Sequence, residues 1–244
     1  MCDDRRPTLW VRSRHAGYIG PELDVGLHET PIAALGLGLD GPFVFETAEH
    51  GDIAARSVFA PARVRHRIVT DGWIMLLSAE PGGAAAIALG GSMRRTVGPF
   101  GFDSQYEDAL IAAARDGVSE IDRLLSELAR PAQPIDPRIA RIMGEIQADP
   151  TLHARADGAA AAVQMSVSHF LHVFAACTGT TFRRYQQWAR LRIVGAGLDA
   201  GHDLTRCAAD AGFASPSHLS ETFRRTFGLS LTALLASQVE LDIQ

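Results

Sequence analysis

Shifted against itself by 49 residues, the second half of the chain repeats. Ala159, Ala160 and Ala162 fall on Ala208, Ala209 and Ala211. Ser166, Ser168 and His169 fall on Ser215, Ser217 and His218, then Phe174 on Phe223 and Gly179 on Gly228. Eight identities across positions 156 to 179 far exceed chance, so residues 138 to 236 hold a duplicated unit. Each copy reads as a small-residue helix, a short break and a second helix starting at a serine cap. In the second copy the pattern predicts a helix over 204–211, a turn at Gly212-Phe213 and a helix from about Pro216 to Phe227. Pro216 fits a first helical turn, where its missing N–H is not needed; Ser215 can cap that turn, and Gly228 suits the end of the helix. Alanines let the two helices pack closely, as a helix-turn-helix requires, although a generic helical hairpin shares this geometry.

The side chains on the second helices sharpen the reading. Ser217, His218, Ser220, Glu221, Arg224 and Arg225 fall on the outer face, while Leu219 and Phe223, four apart, turn inward. Hydroxyl, imidazole and guanidinium groups along one helix face suit phosphate and base-edge contacts. The first copy is poorer: its face carries Ser168, Leu171 and His172, with Ala175 and Ala176 where the second has its two arginines. Between the copies, a helix over 182–198 carries Arg183, Arg184, Arg190 and Arg192, placed for a DNA backbone or for solvent.

A net charge of -5 over 244 residues argues against a polyanion as partner if taken whole. Resolved along the chain it divides into an acidic stretch, residues 1–133, and a slightly basic one, 134–236. All the basic residues besides histidine are arginines. Neither a membrane-spanning apolar run nor a signal peptide is present, so a cytoplasmic protein is expected. Cys2, Cys177 and Cys207 show no metal or disulfide spacing and read as reduced thiols.

Between Trp10 and Leu89, short apolar runs broken by turn residues predict an antiparallel sandwich or barrel. Asp40-Gly41 and Asp71-Gly72 read as hairpin turns joining neighbouring strands. In Leu35-Gly36-Leu37-Gly38-Leu39 the leucines share one face and the glycines leave the other open to close packing. Over 61–69 the parity puts Val64, His66 and Ile68 on one face and Arg63, Arg65 and Arg67 on the other, so His66 points inward as a core residue, a ligand donor or a metal ligand. Beyond Gly101 the spacing becomes helical, giving two helices broken near Asp116-Gly117 that cap the sheet or form a dimer contact. A proline-rich stretch, 131–137, then reads as a linker between a domain over 1–130 and one over 138–236.

The run from Ala208 to Gly228 closely resembles the signature of the AraC family of bacterial transcription regulators. The resemblance implies two helix-turn-helix units placing recognition helices in successive major grooves. By position it names Ser168, Leu171 and His172 in the first unit, and Ser217, His218, Ser220 and Glu221 in the second, as base readers; from the helix face itself, Arg224 and Arg225 read as backbone contacts. Two departures stand out. The first unit has Ala175 and Ala176 where basic residues are common, and Glu221 replaces a frequent arginine, which suits a cytosine amine as its contact.

The first half resembles the family's cupin-type barrel in Tyr18-Ile19-Gly20-Pro21, His28, Leu39-Asp40-Gly41-Pro42-Phe43 and the stretch from Pro61 to His66. Metal-binding cupins usually carry an HxH motif; here Thr30 stands where the second histidine would, leaving His28 and His66. A metal-dependent cupin enzyme with an accessory DNA-binding region is therefore the weaker alternative. The expectation is an α+β multidomain protein: a cupin-like antiparallel β-barrel with following helices, then an all-α double helix-turn-helix. Its partners would be double-stranded DNA, a small effector lined by His28, His66, Trp10 and Trp73, a second copy of the chain, and RNA polymerase if it activates. No catalysis, metal, cofactor or membrane is expected.

Overall fold

The computed structural model describes residues 6–21, 26–129, 135–227, 231–236 and 239–243. Residues 131–134 of the expected linker and Gly228 lie outside them. The first part is built from strands β1 (Thr8–Val11), β2 (His15–Pro21), β3 (Ala34–Gly38), β4 (Phe43–Thr47), β5 (Gly51–Ala55), β6 (Ser57–Ala60), β7 (Arg67–Val69) and β8 (Trp73–Ala79). Helix α1 (Ala84–Gly91), strands β9 (Met93–Val97) and β10 (Phe100–Ser104), and helices α2 (Glu107–Asp116) and α3 (Val118–Leu128) follow. The second part holds α4 (Pro137–Ala148), α5 (Ala156–Ala162), α6 (Val167–Thr178), α7 (Phe182–Asp199), α8 (Leu204–Asp210), α9 (Pro216–Phe227) and α10 (Leu231–Ala236). A last strand, β11 (Glu240–Ile243), returns to the sheet of the first part.

Among the described residues the strands form two sheets and no closed barrel. One has eight strands in the order β11-β1-β2-β8-β3-β6-β10-β9; the other has three, β5-β4-β7. The two Asp-Gly pairs explain the difference from a simple hairpin meander. β3 pairs with β6 and β8, whereas β4 pairs with β5 and β7, so Asp40-Gly41 carries the chain from one sheet to the other. Asp71-Gly72 carries it back, from β7 to β8. Neither glycine takes the positive φ that a tight type I′ hairpin needs. The corners are instead joined to each other: Trp73 N–H donates to Asp40 Oδ2 at 3.0 Å, and Leu39 N–H to the Trp73 carbonyl at 2.8 Å.

Alternation along β3 and β8 sorts the core into two layers. Leu35, Leu37, Met75 and Leu77 turn to one face with Trp10 and are covered by Leu89, Leu110, Ile121 and Leu125 of the three helices. The helices after Gly101 therefore cap the large sheet. They part at Gly117, whose φ of +112° breaks the helical path. The opposite face carries Ile74, Val58, Phe100 and Phe102 against Phe43 and Phe45 of the small sheet. Gly36 permits this approach, since a Cβ there would stand 2.6 Å from Ile68 Cδ1. Ladder pairing over the 61–69 segment is confined to β7 and a single bridge between His66 and His28, while the inward direction of His66 holds, at 4 % exposure.

The second part follows its caps closely. Asp136, Ser166, Thr181 and Asp203 each accept a backbone N–H at the start of a helix, and His218 N–H donates to Ser215 Oγ at 3.0 Å. Gly212, at φ +72°, makes the turn between α8 and α9. In the first unit the left-handed residue is Gln164, at φ +57°, one position later in the repeat. Ala159 and Ala160 lie in the core of the first unit and Ala208 and Ala211 in that of the second.

Candidate DNA interface and interdomain cavity

Both second helices present their outer faces to solvent. On α6, Ser168, Leu171 and His172 are exposed, and Phe170 and Phe174 are buried beneath them. On α9, Ser217, His218, Glu221 and Arg224 are exposed, Ser220 is half-buried, and Leu219 and Phe223 point into the core. His218 is steadied by an edge contact with Phe213, ring centroids 5.5 Å apart. The side chain of Arg225 lies outside the described residues. The nine expected DNA contacts thus fall on two helices of like construction, and the first has alanines, Ala175 and Ala176, where the second has Arg224 and Arg225.

Helix α7 joins the units, and its arginines divide between two surroundings. Arg183 is exposed and Arg184 half-buried near the helix start, where Arg184 lies 3.9 Å from Glu29. Arg190 and Arg192 turn inward instead, correcting the expectation that all four face DNA or solvent. Arg192 lies over Trp188, its guanidinium carbon 5.3 Å from the ring centroid, and its Nε has no hydrogen-bond partner. Burial works against its charge and lowers its pKa from the ordinary arginine value.

Arg192 looks into a cavity of about 190 Å³ between the large sheet and α7. Leu9, Val11, Tyr18, Gly36, Ile74 and Leu76 form the sheet side; Trp188, Leu191, Val194 and Leu198 the α7 side; Phe223, Leu231, Leu234 and Leu241 close it. The lining is almost wholly carbon, and Thr30 Oγ1 joins Arg192 Nε as a buried polar atom without a partner. Of the four residues expected to line an effector site, His28 and His66 border this cavity, but Trp10 and Trp73 do not. Trp10 is fully buried on the opposite face of the sheet, donating to His15 Nδ1 at 3.2 Å, and Trp73 stands at the sheet corner.

The two histidines are a matched pair, ring centroids 4.8 Å apart, with His28 Nδ1 on the Gly26 carbonyl at 3.0 Å and His66 Nδ1 on the Val64 carbonyl at 2.8 Å. Burial lowers both pKa values. His66 falls to about 4, through burial first and its neighbour His28 second. Both rings are therefore neutral near pH 7. Among the described residues no group of three His, Cys, Asp or Glu side chains is placed to hold a metal ion. No helix there is long and apolar enough to cross a membrane alone.

Sequence spacing gave no sign of the contact that locks the two parts together. Glu80, after β8, is buried and accepts from Tyr185 Oη of α7 at 2.8 Å and from Gln147 Nε2 of α4; Arg14 Nε reaches its other oxygen at 3.0 Å. Burial, then the Glu80 charge, raise the Tyr185 pKa, so its hydroxyl stays a donor.

A family model described as a helix-turn-helix domain matches residues 159–237. This chain carries an AraC-type helix-turn-helix domain. The match runs from α5 through α10 and takes in both recognition helices and the linking α7. Through the AraC-type domain the chain is a DNA-binding transcription regulator. Among solved structures, an apo variant of ToxT from Vibrio cholerae strain SCE256 is similar with a TM-score of 0.60 at 12 % identity, over 91 % of this chain and 97 % of that one. Wild-type ToxT of the same strain with an unsaturated fatty acid bound gives 0.54 at 12 % identity, over 90 % and 94 %. ToxT of strain O395 bound to (E)-4-(8-methylnaphthalen-1-yl)but-3-enoic acid gives 0.56 at 11 % identity, over 91 % and 98 %. At these identities the likeness establishes a shared two-part fold. Compared with curated proteins by sequence, the chain has no match.

Proposed function

We propose that this regulator's affinity for DNA is set by an apolar acid held between the large sheet and α7. The observation that carries the reading is the cavity itself: one occupant would touch the sheet, the linking helix and Phe223 on the buried side of the second recognition helix. A carbon-lined cavity selects a hydrocarbon body, worth about 0.8 kcal/mol for each CH₂ removed from water. Arg192, desolvated and lacking a partner at Nε, selects an anionic head. A carboxylate would pair with it by charge-assisted hydrogen bonds and relieve the cost of its burial. The fatty acid bound to ToxT, of like fold, supports this class of ligand.

On the DNA side, Ser168, Leu171 and His172 would meet one major groove and Ser217, His218, Ser220 and Glu221 the next, with Arg224 and Arg225 on phosphates. The domains are 1–130 and 138–236, the protein works in the cytoplasm without catalysis, and it acts as a homodimer, engaging RNA polymerase where it activates.

The test begins with a DNA site selected from a random pool. Titrating oleate below its micellar concentration should change the DNA affinity of the wild type by about fivefold or more. Arg192→Met should bind the same DNA and lose the response. No change in the wild type with oleate refutes an acid effector; an undiminished response in Arg192→Met refutes the role of the arginine.

A further inference from the structure

β11 ties the second helix-turn-helix unit to the sheet of the first part by a route separate from α7. It pairs in parallel with β1, Thr8 opposite Glu240 through Val11 opposite Ile243, and Glu240 N–H donates to the Pro7 carbonyl at 2.8 Å. Arg12 fastens it: Nη1 donates to the Asp242 carbonyl and Nη2 to Asp242 Oδ2, each at 2.8 Å, while Nε holds Asp122 Oδ2 of α3 at 3.1 Å. The Arg12 side chain is only 10 % exposed, so this pair is stronger than a surface ion pair. Leu9 of β1 and Val239 pack on the core of the second unit, and Leu241 forms part of the cavity wall.

The units differ in how they are held. The core of the first unit includes Ile32 from the sheet part, and Glu80 bonds to α4 and α7. The second unit hangs on α7, on its apolar contact with Leu9 and on β11. With both units fixed to one sheet, the recognition helices cannot adjust to grooves one helical turn apart unless an attachment yields. A four-residue edge strand with a neighbour on one side only is the least costly to detach.

We infer that β11 is an intramolecular clasp that restrains the second helix-turn-helix unit, and that the unit docks on DNA with the clasp released. The inference rests on the DNA-binding reading and not on the effector. Paired strands stand about 4.8 Å apart, within the Cα range of a disulfide, so Thr8→Cys with Glu240→Cys can lock the clasp in the full chain. Oxidised, this variant should bind the selected DNA about fivefold or more weakly than after dithiothreitol. Glu240→Pro, which removes the donor to Pro7, should bind DNA more tightly than the wild type and speed amide exchange over Thr8–Val11. Equal affinity of the oxidised and reduced forms overturns the clasp, as does a disulfide that forms only between two chains. Failure of the wild type and every variant to bind any DNA overturns the regulator reading instead, and unchanged exchange over Thr8–Val11 in Glu240→Pro then overturns the clasp on its own.

Discussion

Replacing Glu80 by alanine should cost more stability than any surface charge in the protein. The side chain is 6 % exposed, and one oxygen accepts from both Tyr185 Oη and Gln147 Nε2. A hydrogen bond to a buried charged acceptor is worth about 1.5–3 kcal/mol, so the two together amount to roughly 3–6 kcal/mol. Arg14, 68 % exposed, adds little. The loss falls at the low end of that range, because Gln147 Nε2 keeps its existing bond to Tyr185 Oη at 2.9 Å and is not left unpaired. A net loss of about 3 kcal/mol in a chain of this size corresponds to a fall in Tm of roughly 6–12 °C. Thermal unfolding followed by circular dichroism reads this directly, and a double-mutant cycle with Tyr185→Phe should return a coupling of about 1 kcal/mol or more. A Tm for Glu80→Ala within about 2 °C of the wild type would refute the argument that this carboxylate joins the two parts.

Two further outcomes follow from the same geometry. The neutral, buried His66 titrates near about 4 when folded against an ordinary value of 6.5, so the unfolded chain takes up its proton first as the pH falls. Stability is then fully present above pH 6.5 and drains away towards pH 4, by about 3 kcal/mol for this group; Tm measured from pH 7.5 to 4.5 should fall less steeply in His66→Gln, and parallel curves would reject the assignment. Gly36→Val would drive a side chain into Ile68, 2.6 Å from the Cβ position, and should lower stability by about 1–3 kcal/mol in urea unfolding, with an unchanged midpoint counting against close packing of the sheets there.

The helical half was legible because its signals are local. Ser215, Pro216 and Gly212 each act within a few residues, and the structure puts the start of α9 where they put it. The exposed faces of α6 and α9 follow from period alone. Strand pairing is a matter of distant partners, and Asp-Gly marks a corner without saying which sheet the chain enters next; hence two corners read as hairpins. β11 gave no warning, since Glu240-Leu241-Asp242-Ile243 is a short acidic stretch until β1 and Arg12 are beside it. The cavity was hidden for the same reason. Its walls come from residues as far apart as Leu9 and Leu241, so the histidines, legible by parity, were found, and the inward turn of Arg192 on an arginine-rich helix was not.

Helix α7 sets a limit on what any signal can change. Its 18 residues make a rod of about 27 Å that belongs to the cores of both units at once. A rod does not stretch, so the spacing between the two reading heads is constant whatever occupies the cavity or holds β11. What remains adjustable is the angle of the second head about that rod. Promoters for this protein should therefore tolerate changes of base within each half of the site far better than the insertion of a single base pair between them.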